Sequence, residues 1–228
     1  FAGYLLFGSG YKRFRVGSNR SFISDLEEIK QSIVQIIEDK RKKLETQEVS
    51  DEAYSDLLTV LISARDENGD ALSEEQIIDE SHTFLFAGHE TTSSLVSWMF
   101  YLFCIHKDVQ KKVCKDVDQF FQQHDTVTFE NVQNIKYLQQ VIQETLRFYP
   151  PVTNVDRETN QDMYLGDYFL PKGTELTLNI LGLHRNEKYW KNANVFDPDR
   201  WSEERLKTEL TQPLNNVFMP FSRGARDC

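Results

Sequence analysis

Cysteine is the residue type in this chain with the widest range of chemistry, and its three copies have different surroundings. Cys104 and Cys114 lie in patterns typical of helices, and we assign them no chemistry. Cys228 follows a run of phenylalanine, glycine and arginine that predicts a loop. A thiolate is a soft, electron-donating metal ligand, and nearby positive charge favours this form of cysteine. Arg223 and Arg226 supply such charge, so Cys228 is a candidate metal ligand.

The spacing of residues 221–228, Phe-x-x-Gly-x-Arg-x-Cys, supports this interpretation more than the cysteine does alone. An isolated cysteine is more often a small buried hydrophobic residue. Gly224 allows a turn with positive φ, or a close approach of the backbone to a flat ligand. We expect Pro220 to form a stiff entry to this turn and Phe221 to anchor it by packing.

A long helix is predicted in the middle of the chain. Residues 73–76 form a capping box, and because no proline occurs before Pro150 the helical pattern can continue to Ile105. Such a helix is roughly 48 Å long. Residues 95–105 are apolar on nearly every side, so we expect this half to be buried. The apolar run is too short for a membrane span.

The residues from Ala87 to Thr92 do not suit the interior of a buried helix. Gly88 costs about 1 kcal/mol relative to alanine, and an ionisable residue should not lie unpaired in a core. A notch of small residues would let a flat cofactor or a diatomic ligand approach the backbone. Glu90 could pass protons inward, and Thr91 could bond back to the Ala87 carbonyl. The structural alternative is a helix kink with an incidental pair of threonines.

Glu144 and Arg147 lie three residues apart on a helix that we expect to end at Pro150 and Pro151. The simplest interpretation is an exposed ion pair that contributes a few tenths of a kcal/mol. A buried pair would instead need every remaining donor and acceptor to be bonded.

The remaining segments alternate between helical spacing and a period of two. The helical segments are 21–45, 54–65, 106–121 and 138–149, and the segments 163–165, 168–170 and 174–180 predict a small antiparallel sheet. Residues 1–20 are expected to form a loop. The predicted fold class is therefore mainly α with a minor antiparallel β-sheet.

Composition limits the classes of partner. The formal net charge of −10 argues against a nucleic acid partner, because phosphate binding needs clustered lysine and arginine. The three cysteines form no CxxC pair and no disulfide framework, which fits a reducing compartment. No signal peptide or membrane span is visible in the sequence.

Together these motifs resemble the cytochrome P-450 family. Residues 221–228 resemble its haem-thiolate loop, and residues 87–92 resemble the signature of its long central helix. Glu144 and Arg147 match its Glu-x-x-Arg helix motif. The resemblance implies a cytochrome P-450-like fold and haem b as cofactor, with Cys228 as the axial thiolate and iron ligand.

The resemblance also implies roles for most of the candidate residues. Arg226 pairs with one haem propionate and Arg157 with the other. Glu90 and Thr91 are the acid and the alcohol that deliver protons during dioxygen activation. The other residues expected at the cofactor are Phe221, Gly224, Ala87 and Gly88.

Two supporting sets of residues follow from the same resemblance. One set lines the substrate pocket and consists of Pro151, Val152 and Thr153. The other is a structural ion-pair cluster that holds the Cys228 loop in place and consists of Glu144, Arg147 and Arg200. His184 also occupies a family position, but no second ligand accompanies it, which disfavours a metal site.

The implied function is a haem-dependent monooxygenase that inserts one oxygen atom of O2 into an apolar organic substrate, by hydroxylation or epoxidation. Electrons would come from NAD(P)H through a flavoprotein reductase or another donor. Two alternatives remain open. One is a haem-thiolate isomerase or dehydratase that acts on peroxides, and the other is a non-catalytic haem-binding or helical scaffold.

Family members are considerably longer than this chain. We therefore expect residues 1–228 to be one incomplete catalytic domain, without the N-terminal helices and the region after the cysteine ligand. Alone it is expected to be inactive and unable to hold haem. The expected location is the cytosolic face of the endoplasmic reticulum membrane through an N-terminal anchor, or the cytoplasm if there is no anchor.

Overall fold

The computed structural model describes residues 18–46, 56–225 and 227–228. Contacts divide the chain into one unit that ends at Gly88 and a second that runs from His89 to Cys228. The predictions for residues 1–17, for Tyr54 and for Arg226 lie outside the described residues. The loop predicted over residues 1–20 is wrong at residues 18–20, which lie in a helix. The expectation of a single incomplete catalytic domain stays a prediction.

The first unit is helical. It contains α1 (Ser18–Thr46), α2 (Leu57–Ser63) and the first part of α3 (Glu74–Ile105). Apolar residues of α1 and α3 form its core, namely Ile33, Ile37, Ile77 and Ile78. Asp56 caps α2 by accepting a hydrogen bond from the Thr59 backbone N–H at 2.9 Å. The described part of α2 is shorter than the predicted helix over 54–65.

Helix α3 begins at its predicted position. The Ser73 N–H donates to Gln76 Oε1 at 2.8 Å, and the Gln76 N–H donates to Ser73 Oγ at 3.2 Å, which is a reciprocal capping box. None of the helices in the described part of the chain is both long enough and apolar enough to span a membrane.

The prediction that residues 95–105 are buried is wrong for most of them. Phe100, Tyr101 and Ile105 are exposed, whereas Leu102 packs into a core with Val141. A helix that is apolar all round needs neighbours on every side. The described residues supply them on one side of α3 only.

The core of the second unit forms between α3, α4 (Lys107–Phe121) and α5 (Lys136–Phe148). A 3₁₀ turn (Val132–Asn134) precedes α5. Both predicted helices are confirmed, and α5 ends just before the two prolines. Asp116 of α4 joins the two helices, because its carboxylate accepts from the Tyr137 N–H at 2.8 Å.

In the described residues the strands form two separate two-stranded sheets. The predicted pair of 163–165 with 168–170 is confirmed, but the prediction that 174–180 joins the same sheet is wrong. Their bounds are β1 (Asn154–Glu158), β2 (Met163–Leu165), β3 (Tyr168–Leu170) and β4 (Glu175–Asn179). Antiparallel pairs join β2 to β3 and β1 to β4, with Arg157 opposite Leu176. The sequence Asn-Val-Asp-Arg-Glu of β1 has no apolar alternation, which is why its pairing was not predicted.

The chain after β4 forms short elements around a second core of the same unit. These are α6 (Ile180–His184), a 3₁₀ turn (Pro198–Trp201), α7 (Glu203–Glu209) and α8 (Leu214–Val217). The buried members of this core are Trp190, Ala193, Trp201 and Val217. The observed fold is mainly helical with small antiparallel sheets, which confirms the predicted fold class.

Candidate active site

A cavity of about 610 Å³ lies within the second unit. Three segments line it: a part of α3, the chain from the end of α5 into β1, and the loop that leads to Cys228. Its lining residues are Thr91, Thr92, Leu95, Leu146, Pro151, Val152, Val155, Arg157, Pro220, Phe221, Ser222 and Cys228. A volume of this size is typical of sites for cofactors and small molecules.

The Cys228 loop folds back on itself through main-chain hydrogen bonds. The Cys228 N–H donates to the Phe221 carbonyl at 3.0 Å, and the Asp227 N–H donates to the Gly224 carbonyl at 3.2 Å. Gly224 has a φ of 113°, which confirms its predicted left-handed conformation. Cys228 is an exposed free thiol at the cavity.

Phe221 does not anchor this loop by packing, contrary to the prediction, because its side chain is 57% exposed. It lines the cavity instead. Arg223 donates to the Asn215 carbonyl at 2.6 Å and to Asn216 Oδ1 at 3.1 Å, which ties the loop to α8. Arg226 lies outside the described residues.

On the α3 wall, Thr91 lines the cavity together with Thr92 and Leu95. Leu95 lies one helical turn beyond Thr91, on the same face of the helix, as the i, i+4 spacing predicts. Glu90 is exposed, and one carboxylate oxygen lies 3.7 Å from His89 Nδ1.

The notch residues belong to the unit that ends at Gly88, and both Ala87 and Gly88 are exposed in it. The expectation that they lie inside a buried helix is therefore wrong. A Cβ atom added at Gly88 would meet no atom within 4 Å, outside the helix's own backbone and the chain neighbours. The space beside Gly88 is open, as a notch requires.

Of the predicted substrate-pocket residues, Pro151 and Val152 line the cavity. Thr153 is not among the described lining residues. Its carbonyl accepts from the Leu181 N–H at 3.1 Å and its hydroxyl accepts from the Asn154 amide at 3.3 Å. Arg157 lines the cavity too, and its Nη1 donates to the Asp156 carbonyl at 2.9 Å.

Glu144 and Arg147 are both 0% exposed, which excludes the exposed-pair interpretation. Arg147 donates from Nε and Nη2 to the two carboxylate oxygens, each at 2.8 Å. Its Nη1 donates to the carbonyls of His184 and Ala193 at 2.8 Å each. This bidentate geometry satisfies the guanidinium through the carboxylate and the backbone, as burial requires.

Arg200 completes the ion-pair cluster. Its Nε lies 3.5 Å from Glu144 Oε1, and its Nη1 donates to the Lys191 carbonyl at 2.6 Å. The Trp201 indole N–H donates to Glu144 Oε2 at 2.9 Å, a contact that the sequence reasoning missed. Trp201 directly follows Arg200, a predicted member of the cluster. This position is a signal that could have identified the contact, because a buried tryptophan N–H needs an acceptor.

His184 is fully buried, and its Nε2 accepts from the Met219 backbone N–H at 2.9 Å. Burial, and to a lesser extent the positive charge of Arg147, lower the pKa of His184 to about 4, although the backbone of Leu146 and Arg147 acts in the opposite direction. In the described residues no three His, Cys, Asp or Glu side chains group as metal ligands.

A helical fold, a buried Glu-Arg-Arg cluster and a cysteine loop beside a cavity are the features of a haem-thiolate protein. The sequence model of the family described as Cytochrome P-450 matches residues 4–228. The chain belongs to the cytochrome P-450 family.

Curated relatives match most of this chain but only part of their own length. Cytochrome P-450 4A10 of Mus musculus is 38% identical over 185 residues, which cover 81% of this chain and 35% of the relative. Cytochrome P-450 4V2 of Mus musculus is 38% identical over 172 residues, or 75% of this chain and 32% of the relative. The chain spans about a third of the length of these relatives.

Solved structures agree in fold. The retinoic acid-bound cyanobacterial CYP120A1 has a TM-score of 0.80 and 29% identity, over 100% of this chain and 50% of that chain. The haem domain of cytochrome P-450DA has a TM-score of 0.76 and 30% identity, over 91% of this chain and 44% of that chain.

Haem with a thiolate ligand is the prosthetic group of this family. The residues at the cavity fit it: a soft thiol from Cys228 for iron, the cation of Arg157 for a carboxylate, and apolar walls such as Leu95 and Val152 for the ring.

Proposed function

We propose that this chain is part of a haem-dependent monooxygenase that inserts one oxygen atom of O2 into an apolar organic substrate by hydroxylation or epoxidation. Electrons come from NAD(P)H through a flavoprotein reductase or another donor. The observation that carries the proposal is the cavity that Cys228, Thr91 and Arg157 line together. When bound there, haem supplies the redox chemistry that dioxygen activation needs.

The cofactor is held by residues from two of the lining segments. Cys228 supplies the axial thiolate, and the cations of Arg157 and Arg226 pair with the two propionates. Phe221 and Gly224 shape the loop around the ligand, and the positive φ of Gly224 supports this role. Ala87 and Gly88 are cofactor-binding residues in this proposal because the family resemblance of residues 87–92 implies that role.

Proton delivery belongs to Glu90 and Thr91, which are adjacent in α3. Thr91 lines the cavity and Glu90 is exposed, so the pair can connect solvent with the reaction site. The hydroxyl of Thr91 can hold a proton at the cavity, and the carboxylate of Glu90 can exchange protons with water.

We expect an apolar substrate because apolar side chains make up much of the cavity lining. Pro151 and Val152 supply this surface beside Leu95 and Val155. Thr153 forms hydrogen bonds with Leu181 and Asn154, and in this proposal it contributes to the substrate pocket by holding the chain next to Val152 in place. The ion-pair cluster has a structural role, which is to hold the loop of Cys228.

A carbon monoxide difference spectrum of the reduced full-length gene product that contains this chain tests the proposal. We expect a strongly red-shifted Soret band that disappears in Cys228→Ala. Thr91→Ala and Glu90→Ala are expected to keep the band but to release more peroxide per NAD(P)H consumed, because proton delivery fails. A folded protein without the band, or a band that survives Cys228→Ala, contradicts the assignment.

The same full-length protein and its variants distinguish this function from two alternatives. An isomerase or dehydratase that acts on peroxides turns over without NAD(P)H, and Thr91 at the cavity argues against it because such an enzyme needs no proton delivery to dioxygen. A non-catalytic haem-binding or helical scaffold predicts that Glu90→Ala and Thr91→Ala change no activity.

We propose that the whole protein lies at the cytosolic face of the endoplasmic reticulum membrane, held there by an N-terminal anchor, or in the cytoplasm if there is no anchor. The similarity to the mouse relatives supports this eukaryotic case. The chain by itself is expected to be inactive and to bind no stoichiometric haem, because large apolar surfaces of α3 are exposed in it. Stoichiometric haem in the isolated chain would contradict this expectation.

A further inference from the structure

His184 is bonded at both its main chain and its side chain. Its carbonyl accepts from Arg147 Nη1 at 2.8 Å, which joins it to the ion-pair cluster. Its imidazole Nε2 accepts from the Met219 backbone N–H at 2.9 Å. The residue is fully buried, and its ring packs against Phe218 with centroids 5.2 Å apart. His184 therefore connects the cluster, through its carbonyl, to a segment 35 residues further along the chain, through its imidazole.

Met219 leads directly into the cysteine loop. Its carbonyl accepts from the Ser222 N–H at 3.0 Å, and the Phe221 carbonyl accepts from the Cys228 N–H at 3.0 Å. Ser222 has a φ of 64°, a conformation that a residue with a side chain seldom adopts without support from its surroundings. Two main-chain hydrogen bonds thus connect Met219 to Cys228, the first between Ser222 and Met219 and the second between Cys228 and Phe221.

The bond to Met219 requires an unprotonated Nε2, since only a bare ring nitrogen can accept. Burial and the charge of Arg147 both favour the neutral imidazole, whose proton then resides on Nδ1. Nδ1 is buried and has no hydrogen-bond partner among the described residues, so the bond from the Met219 N–H is the side-chain contact that identifies the tautomer. Burial and this bond together therefore favour the tautomer whose Nε2 accepts from Met219.

We propose that His184 is a positioning residue for the haem ligand. Its Nε2 acceptor fixes Met219 and so transmits the rigid geometry of the Glu144 and Arg147 pair to the Cys228 loop. The inference rests on the proposed function, in which Cys228 ligates haem.

The test uses the full-length gene product with two amide variants of one residue. In His184→Gln the side-chain oxygen reaches the position of Nε2, whereas His184→Asn is one methylene shorter and does not. His184→Phe keeps an aromatic ring without an acceptor. His106→Phe is the matched control, because the His106 ring packs against Phe196 with centroids 5.1 Å apart, away from the Met219 N–H.

Two quantities are measured: haem bound per protein, and the ratio of unshifted to red-shifted Soret band in the reduced carbon monoxide complex. For His184→Asn and His184→Phe we expect bound haem but about a fivefold higher ratio, the factor that one lost hydrogen bond typically produces. His184→Gln and His106→Phe should stay within about twofold of the unsubstituted protein.

The inference is overturned if the Asn and Phe variants match the unsubstituted protein, or if the Gln variant loses the shifted band as fully as Asn. It is also overturned if none of the three His184 variants folds, because the role would then be overall stability rather than ligand position. Failure of the proposed function has a different signature. In that case the unsubstituted protein lacks the shifted band or keeps it in Cys228→Ala, and the inference falls with it.

Discussion

The ion-pair cluster around Glu144 and the α3 wall around Glu90 both carry a predicted functional carboxylate, but the chain treats the two carboxylates in opposite ways. Glu144 is fully buried and accepts bonds from an arginine, an indole and a backbone N–H. Glu90 is exposed, lies 3.7 Å from His89, and follows a glycine with open space beside it.

This difference separates structural from chemical roles. A buried charge is tolerated only when the fold itself supplies its partners, and Glu144 and Arg147 find theirs within the second unit. A residue that must act on a ligand has to be reachable by it, and Thr91 of the α3 wall lines the cavity whereas Glu144 is fully buried. Substitutions in the cluster should therefore change stability, and those on the wall should change ligand chemistry.

Glu144→Ala should give the largest effect and tests the structural half of this contrast. It leaves the buried guanidinium of Arg147 without its carboxylate, which typically costs about 3–5 kcal/mol in the free energy of unfolding. Denaturant unfolding measures this cost. Glu187→Ala, at an exposed glutamate, is the control and should change stability by less than about 0.5 kcal/mol. A loss below about 1 kcal/mol for Glu144→Ala would falsify the view that the cluster is a structural requirement.

The pH dependence of stability should distinguish the two regions through their histidines. The pKa of His184 falls from 6.5 to about 4 on folding, so the unfolded chain takes up the proton first as the pH decreases. This contribution to stability is complete above about pH 6.5 and is lost towards pH 4, by about 3 kcal/mol in total.

The measurement is the free energy of unfolding of the unsubstituted protein minus that of His184→Gln, at a series of pH values. His89→Gln, at an exposed histidine next to Glu90, is the control at pH 7 and should change the free energy of unfolding by less than about 0.5 kcal/mol. A difference that does not vary between pH 7 and pH 4 would show that His184 does not stay neutral on folding.

Two tryptophans offer a matched pair inside the structural region. Trp201 donates its indole N–H to Glu144, whereas the buried Trp190 Nε1 has no hydrogen-bond partner among the described residues. Both substitutions to phenylalanine remove a similar volume, but only Trp201→Phe removes a hydrogen bond. We expect Trp201→Phe to cost about 1.5 kcal/mol more than Trp190→Phe in denaturant unfolding. Equal costs would mean that packing alone explains Trp201.

The parts of the fold that the sequence predicted are those with local causes. The capping box at Ser73, the helical stripe of α5 and its end at two prolines depend on neighbours within a few residues. For Glu144 the sequence predicts only what burial would require. A carboxylate and an arginine at this spacing can bond to each other, but their remaining donors and acceptors need further partners.

The parts that could not be predicted depend on contacts between distant segments. β1 pairs with β4 about 20 residues later, although its own sequence has no strand pattern. The acceptor role of His184 depends on Met219, and the exposure of Phe221 depends on which segments reach its ring. Such contacts are set by tertiary packing, which overrides local propensity.

Gly88→Ala should give the smallest change in stability. It is also the most direct test of the contrast between the ion-pair cluster, which stabilises the fold, and the α3 wall, which acts on a ligand. Gly88 is an exposed position within α3, and an added Cβ meets no neighbouring atom within 4 Å. Alanine should therefore stabilise the isolated chain by up to about 1 kcal/mol. If Gly88 is a cofactor-binding residue, as we propose, the added methyl group should lower the haem content of the full-length product.

Thermal unfolding of the chain and haem content of the full-length product measure the two effects. Ala87→Gly is the reverse control, because it should lower stability by a similar amount without filling space. If Gly88→Ala raises stability and leaves haem content unchanged, the open space beside α3 is not a cofactor site. If it raises stability and lowers haem content, glycine at this position favours cofactor binding and reduces helix stability. In the ion-pair cluster, by contrast, the residues favour stability.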